Sequence, residues 1–149
     1  MIEETFHANI RASAENVFDI ILDLDGQDRW LPKSLAYRGT DEISSSPVVL
    51  GTTYREPGFV GVRRGTVTEL SRPTRIAFHQ PMSLRARLGV VDAAIRYELR
   101  QGNGYSEVTE SLTVSFSGSA RFCEPVFRPL FRHERRRTLR ALRVFAERL

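Results

Sequence analysis

The order in which its patterns occur constrains this chain more than any single motif. A short alternating segment and a short helix come first, a long β-rich stretch follows, and one Arg-studded helix runs to the last residue. Thr5 to Ile10 alternates and reads as an edge-type strand. Ser13 is a good N-cap for a helix from Ala14 to about Leu22, with Val17, Phe18 and Ile21 on one side. Leu24 to Pro32 reads as a second short helix, which Pro32 ends by disfavouring helix at Leu31. From Ser34 the pattern turns β, with Leu35, Tyr37 and Gly39 alternating with polar residues. Ser44 to Pro47 reads as a loop.

Further strands are predicted at Thr52–Glu56, Val62–Leu70, Arg75–Gln80, Ala93–Arg100 and Glu107–Phe116, about seven in all. Gly102-Asn103-Gly104 is a hairpin turn between the last two. Gly58, Gly61 and Gly65 mark turns or bulges. Pro81–Val91, where Arg85 and Arg87 alternate with Leu84, Ala86 and Leu88, fits the opening of a long strand. In the tail, Pro125 and Pro129 leave two starts for the last helix: near Ala120 with a kink, or near Pro129. Beyond that, Phe131, Thr138, Leu142, Phe145 and Leu149 line one face, and Arg132, Arg136, Arg140 and Arg143 the other. The expectation is one α+β domain, residues 1–149, in which an antiparallel sheet wraps a terminal helix. Such a fold can hold a cavity.

Composition excludes several classes. With 149 residues, 41% hydrophobic and 27% charged, the chain can bury a full core. No apolar run approaches the roughly 18 residues of a spanning helix. The acidic start, Met1-Ile2-Glu3-Glu4, lacks a secretion signal, and the lone Cys123 fits a reducing compartment; a cytoplasmic location is expected. The net charge of +4 is unevenly placed, since residues 121–149 carry nine Arg and three Glu. Lys33 is the only lysine, a bias that phosphate contact or a GC-rich genome would each produce.

Among candidate chemical groups, His7, His79 and His133 lie far apart without ligand spacing, so no metal site is expected. No phosphate loop and no nucleophile elbow around Ser119 is present. Glu110 stands out. Strict alternation places it on the apolar face of its strand with Val108, Leu112, Val114 and Phe116. A carboxylate there would have a raised pKa and could serve as acid or base; the competing readings are a bulge, a rim position or pairing with an arginine. Glu134 lies about 60° from the middle of the apolar helix face, where solvent exposure or pairing with Thr138 competes with a cavity role. By alternation His79 and His7 face away from their apolar neighbours. Tyr37, Tyr54 and Tyr97 share strand faces with apolar residues, where their hydroxyls could orient a ligand or simply finish a core. Trp30, Phe78, Phe122, Phe127 and Phe131 read as core or cavity wall. Arg135-Arg136-Arg137 extend a basic stripe, read as a solvated face paired with Glu, or else as weakly attracted to anionic lipid. No nucleic-acid motif accompanies it.

Several segments together resemble a known family. Phe6 to Phe18 looks like its opening strand, "I-x-A-S/P-x-E-x-V-W/F" phrase and first helix. Asp23 with Trp30-Leu31-Pro32 is similar to its "D…W-x-P" segment. Leu50-Gly51-Thr52 stands for "V-G-T". Gly65–Leu70 with Pro73–Phe78 matches its "V-x-E-x-x-P-x-R-x-x-F" hairpin. The chain thus resembles the polyketide cyclase/dehydrase and lipid-transport group of the START-like (Bet v 1-like, SRPBCC) superfamily. That resemblance implies a helix-grip fold: a curved antiparallel sheet of about seven strands around the C-terminal helix, with two short helices after the first strand. It also implies a hydrophobic ligand between helix and sheet. The pocket would draw on Trp30, Tyr37, Tyr54, Phe78, Tyr97, Glu110, Leu112, Phe127, Phe131 and Glu134. The first expectation is a carrier or sensor of a lipid, polyketide or similar molecule. A cofactor-independent cyclase or dehydratase using Glu110, Tyr54 and Tyr97 is the second. A regulator binding an acidic partner or membrane through the Arg-rich helix is the third. No cofactor and no nucleic acid is expected, and the chain would be a monomer or homodimer.

Overall fold

Strong alternation over nine or more residues makes all but one strand of the sheet. A computed structural model describes residues 1–34 and 37–149. Its strands are β1 (Ile2–Ile10), β2 (Thr53–Pro57), β3 (Gly61–Ser71), β4 (Arg75–Leu84), β5 (Val90–Gln101) and β6 (Ser106–Ser117). They form one antiparallel sheet in the order β1-β6-β5-β4-β3-β2, which leaves β1 and β2 at the edges. Along β5, Val91, Ala93, Ile95, Tyr97 and Leu99 are buried while the residues between them are not, the two-residue period of a half-buried strand.

Helix α1 (Ala14–Leu22) begins where Ser13 accepts a hydrogen bond from the Asn16 amide at 3.1 Å. It buries Val17, Phe18, Ile20 and Ile21. Helix α2 (Glu124–Glu147) is entered through a 3₁₀ turn, Gly118–Cys123. Pro125 sits in the first turn, where its missing N–H costs nothing, and Pro129 is carried inside the helix. The start therefore lies between the two alternatives the prolines allowed. The helix buries Phe131, Arg135, Thr138, Leu139, Leu142 and Ala146. Leu149, expected on that face, is 77% exposed because the helix ends before it.

Four expectations on elements need correction. The sheet has six strands, not about seven. Of the strand expected from Ser34, the described residues Ser34 and Tyr37–Gly39 are not extended ladder; Leu35 and Ala36 lie outside the described residues. Tyr37 is buried outside the sheet, with its hydroxyl donating to Asp28 at 2.9 Å. One isolated bridge, Asp41 to Arg55, is the remnant of pairing beside β2. The second short helix is a single 3₁₀ turn, Gln27–Arg29. Arg85–Leu88, fitted to a long strand, instead turns the chain between β4 and β5, with Ala86 and Arg87 at positive φ.

Candidate functional site

The inner strand faces carry more charge than the apolar pattern announced. Tyr54 and Glu56 are two residues apart on β2 and both buried. Arg63 on β3, Gln80 on β4, Tyr97 on β5 and Glu110 on β6 are buried as well. From α2 comes Arg135, one turn after Phe131 and on the same buried face. These side chains form one network. Arg63 lies 2.9 Å from Glu56 and 3.6 Å from Glu134. Arg135 donates to Glu110 at 2.9 Å and to Thr138 at 3.3 Å, and approaches Glu134 at 3.8 Å. Gln80 donates to the Tyr54 hydroxyl at 2.6 Å.

Three carboxylates thus share two guanidiniums in a site screened from water. Burial is the main cause that pushes the Glu56 and Glu110 carboxyls above their ordinary range, with Arg63 and Arg135 opposing it. The same burial raises Tyr54 and Tyr97, so both phenols stay protonated. Burial works against the charge on Arg135, but Glu110, Tyr97 and Glu134 more than offset it. A proton retained by a carboxylate relieves the excess negative charge. The second oxygen of Glu110 has no hydrogen-bond partner among the described residues, nor do the Gln80 carbonyl oxygen and the Trp30 indole N–H.

Two spaces adjoin this network. One is an inner cavity of about 30 Å³, walled by Trp30, Tyr54, Phe78, Gln80, Tyr97 and Arg135 among others, with room for about one water molecule. The other is an open groove of about 340 Å³ beside the first half of α2. Its walls are largely apolar: Pro32, Val60, Met82, Phe127, Leu130 and Phe131. Its polar groups, Ser34, His133, Glu134, Arg137 and Thr138, come almost entirely from α2. Thr138 borders both spaces, so the groove ends on the ion network.

The expected pocket residues are therefore divided. Phe127, Phe131 and Glu134 line the groove. Trp30, Tyr54, Phe78 and Tyr97 line the inner cavity. Glu110 is wholly buried behind Arg135, and Leu112 is core at 1% exposure. Tyr37 borders neither space. Glu134, weighed as solvent-exposed or paired with Thr138, instead faces Arg63 and Arg135. Phe122, read as core or cavity wall, is 81% exposed, because the 3₁₀ turn before α2 buries Ala120 in its place. Arg135, read as part of a solvated stripe, is 6% exposed. His79 lies outward against Asp92 at 2.5 Å, and His7 against Thr109 at 3.3 Å.

Glu56, Arg63, Gln80 and Arg135 were missed. Their signal was periodic: Glu56 follows buried Tyr54 by two, and Arg135 sits four after Phe131 and four before Leu139. Among the described residues no group of three or more His, Cys, Asp or Glu is placed to hold a metal ion, and no helix is long and apolar enough to cross a membrane.

Comparison with known proteins gives a consistent family. The profile of the family described as polyketide cyclase / dehydrase and lipid transport matches residues 1–147. A START superfamily protein from Mycobacterium smegmatis superposes with a TM-score of 0.73 at 14% identity, covering 98% of this chain and 97% of that one. Ara h 8.0201 superposes at 0.67 and 13% identity, over 97% and 98% of the two chains. The di-domain ARO/CYC StfQ from the steffimycin biosynthetic pathway gives 0.75 at 10% identity, this chain covering 99% of itself and 51% of StfQ. A search among curated proteins finds no match by sequence. With an antiparallel sheet closed by a C-terminal helix, and a family match over nearly its whole length, the chain belongs to the polyketide cyclase / dehydrase and lipid-transport family, on the helix-grip scaffold of START and Bet v 1 proteins.

Proposed function

We propose that this protein binds an elongated, mostly apolar small molecule in the groove between α2 and the sheet, as a carrier or sensor. The observation that carries this reading is the apolar groove of about 340 Å³ that ends on buried charged groups. Burial of ligand hydrocarbon against Met82, Phe127, Leu130 and Phe131 supplies the driving force. Thr138 and Glu134 meet the polar end of the ligand and set its direction. Mass spectrometry of an organic extract of natively purified protein tests this. A stoichiometric lipid or polyketide-like compound is expected; no such compound, together with no saturable binding of a fluorescent fatty acid, overturns it.

A second reading, a cofactor-independent cyclase or dehydratase, draws support from buried Glu110 and Glu56 with upward-shifted carboxyls beside protonated Tyr54 and Tyr97. The neighbour StfQ is described as an ARO/CYC protein. Against it stands geometry: the inner cavity of about 30 Å³ is too small for a polyketide chain, and Arg135 screens Glu110. Under the enzyme reading, Glu110→Gln abolishes turnover and leaves ligand affinity largely intact; under the carrier reading no turnover of a bound polyketide is detected in either protein. A regulator acting through the Arg-rich helix rests on less, since Arg135 is buried and Arg132 is held by Glu4 at 2.5 Å.

A further inference from the structure

The end of the molecule at which the groove opens carries features unlike the rest of the surface. The strand register brings three connections side by side there. Gly61 pairs with Leu84, Ser83 with Val90, and Val90 with Ser117. The β2–β3 turn, the β4–β5 turn and the 3₁₀ entry to α2 are therefore neighbours. Contacts join them: the Arg85 amide donates to the Val60 carbonyl at 3.0 Å, and Gly89 is packed so closely on Ser117 and Ala120 that no side chain would fit.

From these connections and the first turns of α2 project Phe59, Leu88, Phe122, Val126 and Leu130, each 44–81% exposed. They are half of the large apolar side chains exposed among the described residues. Large apolar residues held in water at one end of a molecule mark an interaction surface. Between them stand Arg85, Arg87, Arg121 and Arg137, all exposed and none with a carboxylate partner among the described residues. The acids nearby are spent: Glu124 holds the N-terminal amine and Arg128, and Glu134 faces the buried arginines.

We propose that this end is a docking face for an anionic lipid bilayer. Phe122, Val126 and Leu130, four residues apart, follow one side of the helix entry, with Phe59 and Leu88 on the turns beside them. An apolar stripe flanked by cations that no carboxylate neutralises complements a medium that is anionic at its surface and apolar beneath, as an anionic bilayer is. Apolar tips enter the interfacial zone while arginines remain at headgroup phosphates. The face surrounds the groove mouth through Val60, Leu130 and Arg137, so a groove ligand would pass between protein and bilayer without crossing water. The docking itself does not depend on what the groove holds.

Co-sedimentation of the full chain with vesicles tests this. Vesicles of phosphatidylcholine with one-third phosphatidylglycerol are expected to bind it at low salt. Pure phosphatidylcholine should bind far less, and added salt should weaken the anionic case. Replacing Arg85 and Arg87 by Gln should lower partitioning on the order of twentyfold, because each basic group near such a surface contributes roughly a factor of five. Phe122→Ser with Val126→Ser should lower it at unchanged salt dependence. Arg136→Gln with Arg140→Gln, on the far side of α2, should leave it unchanged. All these positions are exposed, and circular dichroism verifies the fold. No binding to anionic vesicles overturns the proposal. So does binding lost only in the Arg136/Arg140 variant, or retention of an acidic protein where vesicles fail. Ligand extraction from the same preparations is read separately, so failure of docking and failure of the groove reading remain distinct.

Discussion

Arg135 is the residue on which the interior depends. Its guanidinium faces Glu110 and Glu134 and reaches Thr138. Removing one partner from a buried ion pair leaves uncompensated charge, which typically costs about 3–5 kcal/mol. Arg135→Met is expected to lower unfolding free energy by about that much at pH 7, measured by urea denaturation. The loss should shrink as pH falls, because the stranded Glu110 carboxylate then takes up a proton. In the native protein the folded-state values of Glu56 and Glu110 lie above the ordinary 4.5. The folded state therefore binds more protons than the unfolded state between 4.5 and those raised values. The stabilisation from these two groups is full below 4.5 and is lost as pH rises through the raised values. Asp41 and Glu147 have the opposite sign: Arg55 and the Arg11 amide hold them below the ordinary range, and their contribution is lost on acidification. Substituting Gln at both Glu56 and Glu110 should flatten the fall of stability with rising pH above 4.5 and leave the acid limb in place.

At the scale of elements, two local devices have separable effects. Ser13→Ala removes the cap on α1 and should cost about 1 kcal/mol. Gly65 lies directly opposite Tyr54, and a Cβ there would stand 2.1 Å from the tyrosine ring. Gly65→Ala should therefore cost about 1–3 kcal/mol through overpacking and displace the Tyr54 hydroxyl from Gln80. Thermal melting and near-ultraviolet dichroism report the two effects. The same elements show what was legible beforehand. Helix α1, with its cap, and the β5–β6 hairpin around Gly102-Asn103-Gly104 announce themselves through local rules, and so does the amphipathic run of α2. The segment after Pro32 misled because a tyrosine buried in a loop, its hydroxyl satisfied by Asp28, imitates a strand's alternation. Glu110 was legible as an inward carboxylate, since its register follows from the strand alone. Its partner was not, because Arg135 sits among nine arginines of the tail and only tertiary packing separates the buried one from the rest.

For the whole molecule, the sheet and α2 divide two tasks between neighbouring spaces. The ion network ties β2, β3 and β6 to the helix, while the groove beside it is open and apolar. If the groove is where ligand sits, filling it should abolish binding without touching the network. Leu130 suits that purpose, being 44% exposed on the groove wall and absent from the inner cavity. Leu130→Trp should reduce affinity for a fluorescent fatty acid by roughly tenfold or more, because the indole occupies ligand volume, with a stability change of less than about 1 kcal/mol. Arg135→Met should show the reverse, a large loss of stability with part of the affinity retained in the folded fraction. Equal affinity in Leu130→Trp and the native protein would move the ligand out of the groove. The inner cavity would then have to enlarge to receive it, and the network that now holds it closed would be the gate.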